Sequence, residues 1–163
     1  MTTRQHYTDA EWKTLAIAPV ACGYAVAMSE LGVFSSASEG STLGQALATA
    51  SDRFPAHELI HALFTANDQP VSIQPQDLGT TPAAALQQAI TLCHAAIALL
   101  QERSPAELTD YQTLCYSLAE QVAQATAETP RSHRPTRPHQ PKSVGEHEQE
   151  TLHQLRSALG LEI

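Results

Sequence analysis

Residues 15–28 read LAIAPVACGYAVAM, a run without a single charged side chain, and the way this run is interpreted decides the fold. It is shorter than the ~20 apolar residues that a bilayer-spanning helix needs. Just upstream, Thr8-Asp9-Ala10-Glu11 has the spacing of a capping box, in which the Thr hydroxyl takes an orphan helix N–H and the Glu side chain reaches back. One helix is therefore predicted from Thr8 to about Leu31. Pro19 is expected to kink it, because proline removes one backbone hydrogen bond and crowds the preceding turn. Past Leu15 the helix is apolar on every side, which suits a helix enclosed by others. Ala18, Ala21, Cys22 and Ala25 are small enough to let neighbouring helices approach closely. The run is read as the central helix of a bundle.

Composition agrees. Of 163 residues, 42% are hydrophobic but only 5% aromatic, alanine dominates the apolar set, and there are 7 glycines. Alanine is the strongest helix former, while the β-branched and aromatic runs that build strands are missing. An all-α domain is expected: about five helices in an antiparallel bundle around the N-terminal helix. The net charge of −8 disfavours general nucleic-acid binding and adsorption to anionic membranes. The leader MTTRQHYTDAEWK balances Asp9 and Glu11 against Arg4 and Lys13, so it lacks the positive bias of a signal peptide. The three cysteines, Cys22, Cys93 and Cys115, include no CxxC pair. They are expected to be buried, reduced thiols of a cytoplasmic protein.

Further helices are predicted over Thr42–Ser51, from Pro55 to about Asn67, and over Pro82–Arg103, where Leu86, Ile90, Cys93, Ile97 and Leu100 step by fours and threes. The segment DQPVSIQPQDLGTTP between them reads as irregular, with a short extended piece at Val71–Ile73. Ser104-Pro105-Ala106-Glu107 forms a second capping box and opens a helix whose seam is Leu108, Tyr111, Cys115, Leu118, Val122 and Ala125. The turn before it is so short that the last two helices must form an antiparallel hairpin. These helices make up a domain over residues 1–128. Residues 129–142, TPRSHRPTRPHQPK, carry basic side chains and prolines and no hydrophobic one, and read as an extended linker. Over 143–163, a third capping box, Ser143-Val144-Gly145-Glu146, starts a helix ending at Gly160. Leu152, Leu155 and Leu159 give it one apolar stripe, to be docked on its own bundle, a second copy or a partner.

Residues 57–61 spell HELIH, matching the H-E-x-x-H of zinc peptidases, in which two histidines one turn apart hold the metal and the glutamate activates its water. His57 and His61 are the candidate zinc ligands and Glu58 the candidate general base. Against that reading, no H-x-x-G-x-x-H extension follows and Asp77 lies in an irregular loop. His94 and Glu102 are distant, and no strand precedes the motif to hold a peptide. At ~100° per residue, Ala56, Leu59, Ile60, Leu63 and Phe64 share one face. His57 and His61 flank it and Glu58 points away, as in an ordinary amphipathic helix. The expected state is therefore no cofactor, with zinc at His57 and His61 as the alternative.

Other features are weaker. Cys93-His94 pairs a thiol with an imidazole, but neighbours on a helix diverge by ~100°. His133, His139, His147 and His153 suggest affinity for transition metals. The basic segment could act as a spacer, fold onto the acidic bundle, or contact an anionic partner; its P-x-x-P spacings at Pro135–Pro138 and Pro138–Pro141 suit an aromatic groove. An apolar ligand or pigment near Cys22, Tyr24 and Cys93 is a further alternative.

Three stretches, DAEWKTLAIAPVACGYAVAM, DYQTLCYSLAEQVAQATAE and SVGEHEQETLHQLRSALGL, together resemble a family of small bacterial all-helical proteins. Its pattern is an E-W-x-x-L-x-x-A-P opening, an Ala/Val-rich first helix, and a Ser-started last helix ending in A-L-G. The resemblance implies a bacterial helical protein but carries over no activity and no site residue. In place of that family's glycine-rich connector this chain has its proline-rich basic segment. The function expected from the sequence is a non-enzymatic interaction or scaffold module with a protein partner or a second copy of itself.

Overall fold

Thr8 closes the start of the first helix as the capping box predicts. Its Oγ1 accepts the Glu11 N–H at 3.3 Å, and Glu11 Oε2 accepts the Thr8 N–H at 2.7 Å. The structure is a computed structural model and describes residues 4–31, 44–45, 47–49, 52–54, 57–65, 73–128 and 144–161. Its helices are α1 (Asp9–Leu31), α2 (Glu58–Thr65), α3 (Pro75–Leu78), α4 (Pro82–Arg103), α5 (Leu108–Glu128) and α6 (Glu146–Ala158). No strand occurs among the described residues, and the fold is all-α. Residues 44–45 and 47–49 are helical, within the helix expected over Thr42–Ser51; the rest of that helix, and Val71, lie outside the described residues.

Helix α1 is the axis. Leu15, Ala18, Ala21, Cys22, Ala25, Val26 and Ala27 have no exposed surface, and α4 and α5 pack along it far more than against each other. At the start of α1, Tyr7 Oη and Ser104 Oγ lie 2.9 Å apart and Arg103 bonds Glu11 at 2.8 Å. Toward its other end, Tyr24 Oη donates to the Gly79 carbonyl at 3.0 Å. Helix α4 thus runs antiparallel to α1, and α5 returns parallel to it.

Pro19 sits inside α1 without interrupting it. A proline has no N–H, so the carbonyl four residues earlier, that of Leu15, loses its helical partner. A buried carbonyl without a donor is costly. Tyr111 on α5 supplies the donor: its hydroxyl bonds the Leu15 oxygen at 2.7 Å, with both residues fully buried. Burial, the largest cause, followed by the neighbouring thiols, holds this phenol well above its ordinary range, so it stays a donor.

Helix α4 is capped by Thr81, whose side chain accepts the Ala84 N–H. Its buried line differs from the expected seam. Ala85, Ala89, Cys93, Ala96 and Leu100 are fully buried, whereas Leu86, Ile90 and Ile97 are only half-buried. The reason is steric: facing the small residues of α1, alanines let the two backbones come together, and the larger side chains fill the flanks. On α5 the expected seam holds at Tyr111, Cys115, Leu118 and Val122, while Leu108 and Ala125 are half-buried.

Other local expectations shift. The Ser104 box does not form: the Ser104 side chain makes no cap bond, residues Pro105–Glu107 make a 3-10 turn, and the hydroxyl faces Tyr7 instead. The segment predicted irregular contains α3, held by Asp77, which accepts the Gln74 N–H at 3.0 Å and pairs with Lys13 at 3.2 Å. Gly79 ends it at φ +91°, where an added Cβ would lie 2.6 Å from the Ala85 nitrogen, so glycine is required there. Helix α6 starts two residues later than its predicted cap implies. Ser143 lies outside the described residues, and the buried Glu148 carboxylate accepts the Gly145 N–H at 2.9 Å. Gly160 at φ +69° ends it, with Gly160 and Leu161 N–H groups bonding the Ser157 and Arg156 carbonyls.

Helix α6 docks on the bundle of its own chain, against α1, α4 and α5. Leu155 and Leu159 join the core with no exposed surface, and Leu152 is half-buried. Gln112 of α5 donates to the Leu159 carbonyl at 2.6 Å, and Arg156 stacks over Tyr116 with 5.7 Å to the ring centre.

Tyr111→Phe should cost about 1–3 kcal/mol in urea unfolding, the penalty of an unpaired buried carbonyl. In a Pro19→Ala background the same substitution should cost markedly less, because the alanine N–H restores the helical donor. Ala89→Leu, which wedges the α1–α4 crossing, should cost about 1–3 kcal/mol. Glu120→Ala, on the exposed side of α5, should stay within about 0.5 kcal/mol.

Candidate functional site

HELIH lies at the start of α2, three residues later than the predicted helix start at Pro55, which lies outside the described residues. His57 is not inside the helix but caps it. Its N–H closes a turn on the Phe54 carbonyl at 3.0 Å, and its own carbonyl accepts the first helical bond from His61 at 3.0 Å. The His57 ring stands edge-on to Phe54, and its Nε2 meets the Asp110 carboxylate of α5. Leu59 and Ile60 are buried, with Ile60 packed on Leu114 and Leu118 of α5 and Phe54 and Phe64 at the margin. Glu58 and His61 are exposed on the outer side. Among the described residues no further ligand joins His57, Glu58 and His61 into a group that could hold a metal ion. Chemically the pairing of His57 with Asp110 ties α2 to α5, a role the sequence did not reveal because nothing in either segment signals the other.

His94 and Glu102 are exposed on the outer side of α4, well separated from HELIH in the chain, and Asp77 is engaged with Lys13 in α3. His147 and His153 are exposed on α6; His133 and His139, with the basic proline-rich segment, lie outside the described residues.

The second constellation is in the core. Cys22 of α1, Cys93 of α4 and Cys115 of α5 are all fully buried and free. The Cys22 and Cys93 sulfurs lie 3.3 Å apart, and Cys115 is close enough to shift the titration of both. Hydrogen bonding from Cys115 and then from Cys22 lowers the Cys93 thiol to about 5, aided by the charge of His94. Hydrogen bonds to Cys115 and Cys93 push Cys22 well above the ordinary thiol range, and burial does the same for Cys115. Cys93 is thus the most acidic of the three thiols. Cys93 and His94 diverge, the thiol inward and the imidazole outward. Tyr24, named with Cys22 and Cys93 as a candidate ligand contact, donates its hydroxyl to the Gly79 carbonyl.

Sequence reasoning placed Cys93 and Cys115 on apolar seams and Cys22 in the central helix, but did not bring the three together. A signal existed: Cys22 and Cys93 lie on the small-residue lines of α1 and α4, where two crossing helices come closest.

Comparison with protein-family models, with curated proteins and with solved structures finds no match, so no residue role comes to this chain from elsewhere.

Removing either member of the His57–Asp110 pair, by His57→Ala or Asp110→Ala, should lower stability by about 0.2–1 kcal/mol, as for a partly exposed side-chain pair. The double variant should cost little more than either alone in a urea-unfolding cycle.

Proposed function

We propose that this chain is a non-enzymatic interaction module that self-associates through the outward face of α4. The observation behind this reading is the contrast between the composition of α4 and its burial. By length and composition alone α4 is apolar enough to cross a bilayer, yet only 28% of its most apolar window is buried inside the chain. Its outward side carries Ala84, Gln87, Thr91, His94, Ala95 and Ala98, all exposed, with half-buried Leu86, Ile90 and Ile97 on one flank and Leu92 and Leu99 on the other. From Pro82 to Gln101 the helix has no Asp, Glu, Lys or Arg. In a chain of net charge −8, an uncharged face is where a second copy meets the least repulsion. Small residues at its centre allow a close helix–helix approach, and the leucine and isoleucine flanks supply apolar area to bury.

Light scattering coupled to size exclusion tests this across the micromolar range. The expected result is a dimer or larger assembly that falls to a monomer in Ala95→Glu while helical content is unchanged. A wild-type monomer at every concentration, an Ala95→Glu variant of undiminished mass, or co-sedimentation of the chain with lipid vesicles would sink the reading.

A further inference from the structure

The thiol cluster has no part in that association face and calls for its own account. Three cysteines from three different helices, far apart in sequence, meet beside Tyr111 in a core built mainly from alanine and aliphatic side chains. Packing alone does not demand sulfur there, since alanine or valine fills a comparable volume. What sulfur adds is two-electron chemistry.

We propose that Cys22, Cys93 and Cys115 form a redox-modification site, at which a small hydroperoxide converts Cys22 and Cys93 to a disulfide while Cys115 stays a free thiol.

The pair is chosen by the 3.3 Å sulfur–sulfur contact, from which a modest closure reaches the ~2.05 Å of a disulfide. Cys93, the proton-poor sulfur, is the nucleophile, because the thiolate rather than the thiol attacks. Its sulfur attacks one peroxide oxygen, the O–O bond breaks, and the leaving alkoxide or hydroxide takes a proton and departs as alcohol or water. Cys93 is left as a sulfenic acid. The Cys22 sulfur then attacks the Cys93 sulfur. The S–O bond breaks, hydroxide leaves with the Cys22 proton as a second water, and the S–S bond forms. Two electrons have passed from the two thiols to the peroxide. Cys115, beside the pair, favours the Cys93 thiolate beforehand.

Complete burial selects the oxidant. Exchange with a bulky disulfide needs in-line access to sulfur, which a site with no exposed surface denies, whereas hydrogen peroxide is close to water in size. The bond would join α1 to α4 across a separation of 71 residues and lock the central crossing of the bundle.

The full-length reduced protein is treated with hydrogen peroxide, quenched, alkylated under denaturing conditions and mapped by peptide mass spectrometry. The expected result is loss of two of the three alkylatable thiols, a Cys22–Cys93 linked peptide, and full recovery with dithiothreitol. In the native reduced state an aromatic disulfide reagent should label none of the three thiols. Cys22→Ala should leave Cys93 as a sulfenic acid captured by dimedone added with the denaturant, and Cys115→Ala should still form the link, more slowly. Three free thiols after peroxide treatment of the folded wild type, a link between another pair or between two chains, or native labelling by the aromatic reagent would each overturn the proposal. The wild-type map decides the matter even if a variant fails to fold.

Discussion

A single hydrogen bond answers the main difficulty in this fold. Placing Pro19 in the middle of an enclosed helix leaves the Leu15 carbonyl without its helical donor, at a residue with no exposed surface. Tyr111 Oη, from α5, meets that oxygen at 2.7 Å. The bond fixes α5 along α1 in one register, since a slip of a single turn would leave both the carbonyl and the phenol unpaired. The Ser104–Glu107 connection then sets where α4 ends, beside Tyr7 and Glu11. The proline is thus less a flaw in α1 than the feature that makes its packing specific.

Close approach is the second constraint. Ala18, Ala21, Cys22 and Ala25 of α1 and Ala85, Ala89, Cys93 and Ala96 of α4 are all fully buried, and the two helices touch at Cys22 and Cys93, in a core with few aromatic rings. Such an interface gains little from any one side chain and much from the fit of many. Two consequences follow. The larger aliphatic residues of α4 are moved to its flanks, leaving apolar surface partly uncovered. The three cysteines, as the largest of the small residues on these lines, are pressed together where the helices meet, and their proximity polarises them into one acidic and two reluctant thiols.

The HELIH segment shows how tertiary contacts place the side chains of a short motif. Its histidines and glutamate fall around the apolar pair Leu59 and Ile60, which seats α2 on α5. His57 then finds Asp110 rather than a neighbour on its own helix. The helical period alone places Glu58 and His61 on the outer side, and the structure agrees. The partner of His57 was invisible because it lies on a helix whose orientation relative to α2 no local pattern encodes. For the same reason the Ser104 hydroxyl, read as a cap from its neighbours, is engaged by Tyr7.

Local physics, legible in the chain, determined the helical class, the bounds of α1 and α4, the Thr8 cap, and the apolar seam of α5. Each depends on residues within a few positions of one another: propensity, capping and a repeating apolar spacing. Tertiary structure alone decided the rest. It chose alanine over leucine as the buried line of α4, since a side chain's volume matters only against the helix it faces. It also supplied the donor for Leu15, the partner of His57, the seat of α6 and the meeting of the three thiols. These are contacts between residues distant in sequence, set by how close and in which register two helices can cross, and no periodicity along one stretch of sequence contains that distance.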